Sequence, residues 1–319
     1  MPPVLQLDKL TTNYRTLRGW VRAAEDVSFS VERGEALGIV GESGCGKTTV
    51  ALSILKLLPS GGKIRKGKIF FNGQDIVPLS TKEMRKIRWT GISIVFQGAM
   101  NALNPVFKVE DQIVEAIKLH EPDVPKADAR KRAEGLFEMV GIEPSRITNY
   151  PHEFSGGMRQ RALIAMALAC NPQLLIADEP GTALDVVVQA QVLQLMRSLK
   201  EKLGLGMIVI SHDLSIVAEI CENVAIMYAG NVVEYGKAEE IFKEPLHPYT
   251  QGLIGAFPSI KGEKKKLASI PGQPPDLLHP PTGCRFHPRC PYVMDVCKGE
   301  RPELKKGGST DHPVACYLY

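Results

Sequence analysis

Residues 41–49 read GESGCGKTT and directly follow the apolar run Ala36–Val40. They match the pattern G-x4-G-K-[ST], in which backbone N–H groups of a glycine-rich loop surround phosphate oxygens. The apolar run predicts a buried strand, and residues 50–58 predict a helix stopped by Pro59. A glycine-rich turn with a chance lysine is the alternative interpretation. The strand–loop–helix context favours a phosphate loop, because a helix N-terminus attracts anions.

This phosphate loop predicts a nucleotide site that binds ATP and Mg2+. We expect Lys47 to contact the β- and γ-phosphate oxygens and the Thr48 hydroxyl to ligate Mg2+. Cys45 occupies a variable position of the pattern and needs no catalytic role. The other residues of the loop that we expect at the nucleotide are Gly41, Ser43, Gly44, Cys45, Gly46 and Thr49.

A second apolar run, residues 174–177, ends in the two carboxylates Asp178 and Glu179. Such a pair alone is more often the solvated end of a strand. Beside a phosphate loop it predicts that Asp178 holds Mg2+ through water and that Glu179 polarises the water that attacks the γ-phosphate.

Residues 154–158 read FSGGM, and a helix is predicted over residues 158–170. Ser155 is placed to cap this helix, while Gly156 and Gly157 allow a phosphate to approach the backbone. With this second anion-binding helix start, the chain resembles the ATP-binding-cassette (ABC) ATPases, whose signature usually reads LSGGQ. The Phe and Met at its two ends resemble the oligopeptide and dipeptide importer branch.

Neighbouring motifs agree with this resemblance and extend the site that it implies. Gln97 matches the glutamine of the family's Q-loop, which implies that it is a further Mg2+ ligand. Asp185 matches the aspartate of the D-loop, and His212 matches the switch histidine. Tyr14 lies where the family has an aromatic that stacks on adenine, and Trp20 is a weaker candidate. Gly181 stands where the family usually has Thr or Ser. The resemblance implies that the catalytic set is Lys47, Gln97, Glu179 and His212, with Mg2+ held by Thr48, Gln97 and Asp178.

The same resemblance implies an α/β architecture in three parts. These are a P-loop, RecA-like core from residues 1–97 and 171–257, an inserted helical signature subdomain over residues 98–170, and a linker with a small Cys-rich C-terminal domain over residues 258–319. In this family two cassettes pair head to tail, so that Ser155, Gly156 and Gly157 of one chain complete the ATP site of the other.

Composition narrows the function classes further. A net charge of +4 is too weak a bias to argue for nucleic acid, and no apolar run approaches the roughly 18 residues of a membrane span. The resemblance implies two separate permease subunits and an extracellular solute-binding protein, with this chain on the cytoplasmic face of the membrane. Importers of nickel or oligosaccharides remain alternatives to a peptide importer, and a soluble non-transport cassette protein is a third.

Four of the seven cysteines fall in the last 36 residues, with the spacing C-x5-C-x6-C-x18-C. Residues 246–250 (LHPYT) and 283–291 (GCRFHPRCP) resemble the C-terminal extension of the peptide-importer ATPases. Four thiolates suit Zn2+ or a [4Fe–4S] cluster, and the resemblance to cluster-bearing members favours iron–sulfur. Reduced structural cysteines or two disulfides remain alternatives. The predicted ligands are Cys284, Cys290, Cys297 and Cys316, with His279, His287 and His312 as possible substitutes.

Overall fold

The computed structural model describes residues 2–96, 98, 102–256, 270–307 and 312–319. Their strands, in chain order, are β1 (Leu5–Thr16), β2 (Gly19–Val31), β3 (Ala36–Val40), β4 (Gly62–Phe71), β5 (Gln74–Asp75), β6 (Ile92–Val95), β7 (Leu174–Asp178), β8 (Gly206–Ser211), β9 (Asn223–Tyr228), β10 (Asn231–Lys237), β11 (Lys305–Lys306) and β12 (Pro313–Val314).

Helices alternate with these strands along much of the chain. They are α1 (Lys47–Ile54), α2 (Thr81–Ile87), α3 (Val109–His120), α4 (Lys126–Met139), α5 (Gly156–Ala167), α6 (Val186–Leu203), α7 (Leu214–Ile220), α8 (Ala238–Lys243), α9 (Pro248–Gly255) and α10 (Asp295–Gly299). Short 3-10 turns cover Pro144–Thr148, Pro151–Glu153 and His287–Arg289. Among the described residues, no helix combines the length and apolar character needed to cross a membrane.

Two compact units make up the chain. Unit 1 contains Met1–Leu5, Val31–Ala36 and Pro78–Ile210, and unit 2 contains Gln6–Ser30, Leu37–Val77 and Ser211–Tyr319.

Unit 1 combines parallel strands with a helical block. β6 pairs with β7, and β7 pairs with β8, both in parallel. β7 reads LLIAD with every residue buried, as expected of a parallel strand covered on both faces. Asp185 accepts the Val188 N–H at 2.9 Å and caps α6, and Gly204 ends that helix with φ +60°.

Unit 2 contains two sheet segments. One has the order β2-β1-β4-β5, and in the other β3 pairs with β9 in parallel while β9, β10, β12 and β11 follow antiparallel. The predicted helix over residues 50–58 is α1, which begins earlier, at Lys47. It also ends earlier, at Ile54, just before Lys56 adopts φ +50°.

The helical block of unit 1 depends on buried aromatic packing. Phe137 on α4 is fully buried and meets Phe154 edge-on, with ring centroids 6.2 Å apart. We expect Phe137→Ala to cost about 3–5 kcal/mol of unfolding free energy through the lost burial and the cavity left behind. Thermal unfolding followed by circular dichroism measures this. Met139→Ala, at an exposed position of the same helix, is the control, and equal losses in both variants would contradict the prediction.

Candidate functional site

The phosphate loop joins β3 to α1 and is tightly packed within unit 2. Gly46 precedes α1 with φ +104°, and a Cβ there would overlap the Ala23 carbonyl oxygen. A Cβ at Gly41 would overlap the Met227 carbonyl oxygen. Glycine is therefore required at both positions by close backbone approach, and at Gly46 also by the left-handed conformation.

Lys47, at the start of α1, is buried and folds over the loop. Its Nζ donates to the carbonyl oxygens of Gly41 at 2.6 Å and Glu42 at 3.0 Å. The adjacent Cys45 is buried, and burial raises the pKa of its thiol, so this side chain carries no charge in the loop at neutral pH.

The two aromatic candidates for adenine stacking have different surroundings. The Tyr14 hydroxyl donates to Thr49 Oγ1 at 3.4 Å, which places this ring beside the phosphate loop. Trp20 on β2 is covered by the Arg65 guanidinium, 4.9 Å from the ring centroid. Tyr14 therefore lies beside the phosphate loop, whereas the guanidinium of Arg65 lies over the ring of Trp20.

Unit 1 holds the two predicted carboxylates at the end of β7. Asp178 is buried, and the N–H of Glu179 donates to the Ile210 carbonyl at 2.9 Å. Glu179 has φ +50°, an uncommon conformation for a residue other than glycine, and its Oε2 accepts the Thr182 hydroxyl at 2.9 Å. A backbone conformation of this kind persists where surrounding contacts impose it, often at functional sites.

The unusual Gly181 has a local explanation in α6. A Cβ at this position would lie 2.6 Å from Gln189 Cγ, so the missing side chain makes room for Gln189. The departure from the family's Thr or Ser leaves the neighbouring carboxylates in place.

The signature residues pack against the D-loop helix within unit 1. Ser155 Oγ accepts the Met158 N–H at 3.3 Å and caps α5, which begins at Gly156. A Cβ at Gly157 would overlap Val188 Cγ1 on the first turn of α6, just after Asp185. Signature and D-loop are therefore brought together by a contact that only a small residue allows.

The structure describes fewer contacts for the remaining two catalytic candidates, His212 and Gln97. His212 is exposed and follows β8 directly, before Asp213 caps α7 by accepting the Ser215 N–H at 2.8 Å. Gln97 lies outside the described residues.

The four C-terminal cysteines all line one cavity of unit 2, together with Phe286. All seven cysteines of the chain carry free thiols, so the disulfide alternative is not formed. Burial raises the pKa of Cys284 to about 11 and also raises the pKa of Cys290 and of Cys316, while nearby backbone N–H groups partly offset each shift. Within the described parts of the chain, no group of three or more His, Cys, Asp or Glu side chains is arranged to hold a metal ion.

The three histidines named as substitute ligands have different positions. His287 lines the cysteine cavity, whereas His279 lines another cavity beside Arg22. His312 is buried with its Nε2 2.8 Å from Glu234 Oε1, so its ring is engaged by a carboxylate. His247, which sequence reasoning did not single out, also lines the cysteine cavity, and burial lowers its pKa to about 3, so it stays neutral.

Comparison with known proteins supports the family that these motifs indicate. The model described as ABC transporter matches residues 24–182, and the oligopeptide/dipeptide transporter C-terminal region matches residues 233–297. The oligopeptide transport ATP-binding protein OppD of Bacillus subtilis is 47% identical over 99% of this chain and 88% of its own length. The dipeptide transport ATP-binding protein DppD of Escherichia coli is 46% identical over 94% of this chain and 92% of its own length. The chain belongs to the ABC transporter family.

Solved ABC cassettes have the same fold. A dimeric cassette in a post-hydrolysis state bound to ADP and Pi matches with a TM-score of 0.65 and 29% identity, over 73% of this chain and 98% of that one. A Clostridium perfringens cassette that is part of an ABC transporter complex matches with a TM-score of 0.67 and 30% sequence identity. The match covers 76% of this chain and 92% of that one. The predicted α/β P-loop fold and the assignment as an ABC ATPase are thereby confirmed.

The placement of Glu179 generates a prediction for this ABC ATPase. Glu179→Gln keeps the size and the Thr182 contact but removes the base, so ATP hydrolysis should fall about 10²–10⁴-fold while ATP binding is retained. Phosphate release and equilibrium ATP binding measure the two effects. Glu201→Gln, exposed on α6, is the control, and wild-type hydrolysis by Glu179→Gln would refute the role of this carboxylate.

Proposed function

We propose that this ABC ATPase powers the uptake of dipeptides or oligopeptides through separate permease subunits, as a peripheral subunit on the cytoplasmic face of the membrane. The observation that carries the proposal is the C-terminal region. It matches the oligopeptide/dipeptide transporter model, and the relatives that extend over nearly the whole chain are named for oligopeptide or dipeptide transport.

Transport in vesicles tests the substrate class. The chain is reconstituted with the permeases and the binding protein encoded beside it, and uptake of a labelled dipeptide, a hexapeptide, maltotriose and Ni2+ is compared. We expect ATP-dependent uptake of a peptide, lost with Glu179→Gln. Uptake of the sugar or of nickel alone would establish the rival importer, and no coupling to any permease would favour a non-transport cassette.

We propose further that the ATP site is completed by a second cassette. Lys47 and Glu179 of one chain would act with Ser155 and Gly157 of the other, and hydrolysis would loosen the pair. The surface beside Asp185 supports this arrangement, because the side chains of Val186 and Val187 are apolar yet 82% and 67% exposed. Adjacent exposed apolar residues are typical of an interaction site.

Mixing two inactive chains tests the shared site. Ser155→Arg and Glu179→Gln chains should each be nearly inactive alone, because each lacks one half of every composite site. An equal mixture should recover about a quarter of the wild-type ATPase rate, since random pairing leaves one complete site in half of the dimers. The idea is wrong if each isolated monomeric chain hydrolyses ATP fully, or if mixing recovers nothing while each chain still dimerises.

The permease contact is proposed at the start of the helical block, where family members receive a coupling helix. Val106 and Phe107 lie there with 70% and 54% of their surface exposed. Apolar side chains left exposed together fit a helix supplied by a membrane subunit.

We propose that the four thiols lining the cysteine cavity, which are not arranged around a metal ion in this structure, close around a [4Fe–4S] cluster, with Zn2+ as the alternative. Four buried or half-buried thiols face one cavity, and soft sulfur ligands suit both groups. Backbone N–H groups near Cys284, Cys290 and Cys316 lower the pKa of these thiols and would favour the thiolates that either group requires. Such a group would stabilise the fold of a C-terminal segment that has few apolar residues to bury. A redox-sensing role is the alternative, and equal ATP turnover with the cluster oxidised and reduced would count against it.

Metal analysis of protein purified without oxygen tests this assignment. We expect a brown preparation that contains iron and sulfide, with broad absorbance at roughly 400 nm. Cys290→Ala should lose the colour, whereas Cys221→Ala should keep it, because Cys221 is buried away from the cavity. A colourless protein with one zinc per chain would overturn the choice of iron–sulfur.

A further inference from the structure

Glu42 is the one carboxylate within the phosphate loop, residues 41–49. Its side chain is 26% exposed, and both its backbone N–H and its backbone carbonyl make hydrogen bonds. The Glu42 N–H donates to the Tyr249 hydroxyl at 2.9 Å, and its carbonyl oxygen accepts Lys47 Nζ. A negative charge therefore lies in the loop that has to receive the phosphates.

Arg289, from the Cys-rich C-terminal segment, neutralises this carboxylate. Its Nη1 lies 2.7 Å from Glu42 Oε2 and its Nη2 lies 3.0 Å from Glu42 Oε1, the two-pronged geometry that suits arginine and carboxylate. The Arg289 side chain is only 5% exposed, so the pair is poorly screened by solvent. The hydrogen bonds to Glu42 also raise the pKa of Arg289 above its ordinary value.

The position of the guanidinium is set by further contacts within unit 2. Nε donates to the Pro271 carbonyl at 2.8 Å, and Nη1 lies 3.3 Å from the Tyr228 hydroxyl. Arg289 also stands next to Cys290, one of the four thiols of the cavity. The C-terminal segment therefore holds the Arg289 guanidinium against the phosphate loop, although Arg289 and Glu42 are 247 positions apart in the sequence.

We propose that Arg289 is a positioning residue for the nucleotide: by pairing with Glu42 it removes a repulsive charge from the phosphate loop and makes the C-terminal segment part of the ATP site. This inference rests on the proposed ATP-binding role of the loop. Two like charges at the separations within such a site repel by about 1.4 kcal/mol or more at intermediate dielectric, which corresponds to roughly a tenfold or greater change in affinity. Arg289 need not touch the nucleotide to act in this way.

Calorimetric titration of the full chain with MgADP tests the proposal. Arg289→Gln should weaken MgADP binding about three- to thirty-fold and raise the KM for ATP more than it lowers kcat. Removing the carboxylate as well, in the double variant Glu42→Gln/Arg289→Gln, should restore binding to within about threefold of wild type. High salt should reduce the difference between Arg289→Gln and wild type, because the repulsion is electrostatic.

Two further variants control for a purely structural effect. Arg301→Gln removes the same charge from the same segment, but Arg301 pairs with Asp26 on β2 at 3.0 Å, so MgADP binding should be unchanged. Glu42→Gln alone should bind at least as tightly as wild type, which keeps the test decisive if Arg289→Gln does not fold.

Four results would overturn the proposal: unchanged binding in Arg289→Gln, equal weakening in the single and double variants, equal weakening in Arg301→Gln, or weaker MgADP binding in Glu42→Gln than in wild type. Wild-type protein that does not bind MgADP would instead refute the nucleotide site itself, so the two failures can be told apart.

Discussion

The tight turn at Ala229 and Gly230 connects three parts of unit 2 by hydrogen bonds: the phosphate loop, β2 and the C-terminal segment. The Gly230 N–H donates to the Cys45 carbonyl inside the phosphate loop, and the Gly230 carbonyl accepts the Glu25 N–H from β2, each at 2.8 Å. The Ala229 carbonyl accepts Nη1 of Arg285 from the C-terminal segment. Both turn residues have positive φ, which points their peptide groups toward these three partners. Loop, β2 and C-terminal segment are thus held by the peptide groups of one tight turn.

The C-terminal segment is an integral part of unit 2. β12 pairs with β10, opposing Glu234 to Val314, and extends the sheet segment that contains β3 and β9. Glu234 is fully buried and accepts the N–H groups of Leu246 and His247 at 2.7 and 3.0 Å. A buried carboxylate is tolerable only when its oxygens are paired in this way. The ion pairs at Glu25 and Glu42 add charged contacts between early and late parts of the chain.

Features encoded by consecutive residues could be predicted from the sequence. The phosphate loop, the caps at Ser155 and Asp185 and the end of α6 at Gly204 depend on local backbone geometry, which residue type controls. Strand β1 and the first part of β2 could not be predicted, because polar residues such as those in the run DKLTTN of β1 interrupt the apolar signal. Arg289 and Glu42 were missed for a different reason: their contact spans distant positions, and neither residue type is unusual where it stands.

The sheet pairing of β12 has a consequence for how the protein is made. Unit 2 contains both the phosphate loop and Val314, so β12 cannot pair with β10 until long after the loop itself has left the ribosome. The sheet edge at β12 therefore forms only after the rest of unit 2 that precedes it has been synthesised. Unit 1, whose residues end at Ile210, is complete about a hundred residues earlier in translation and is free to fold first.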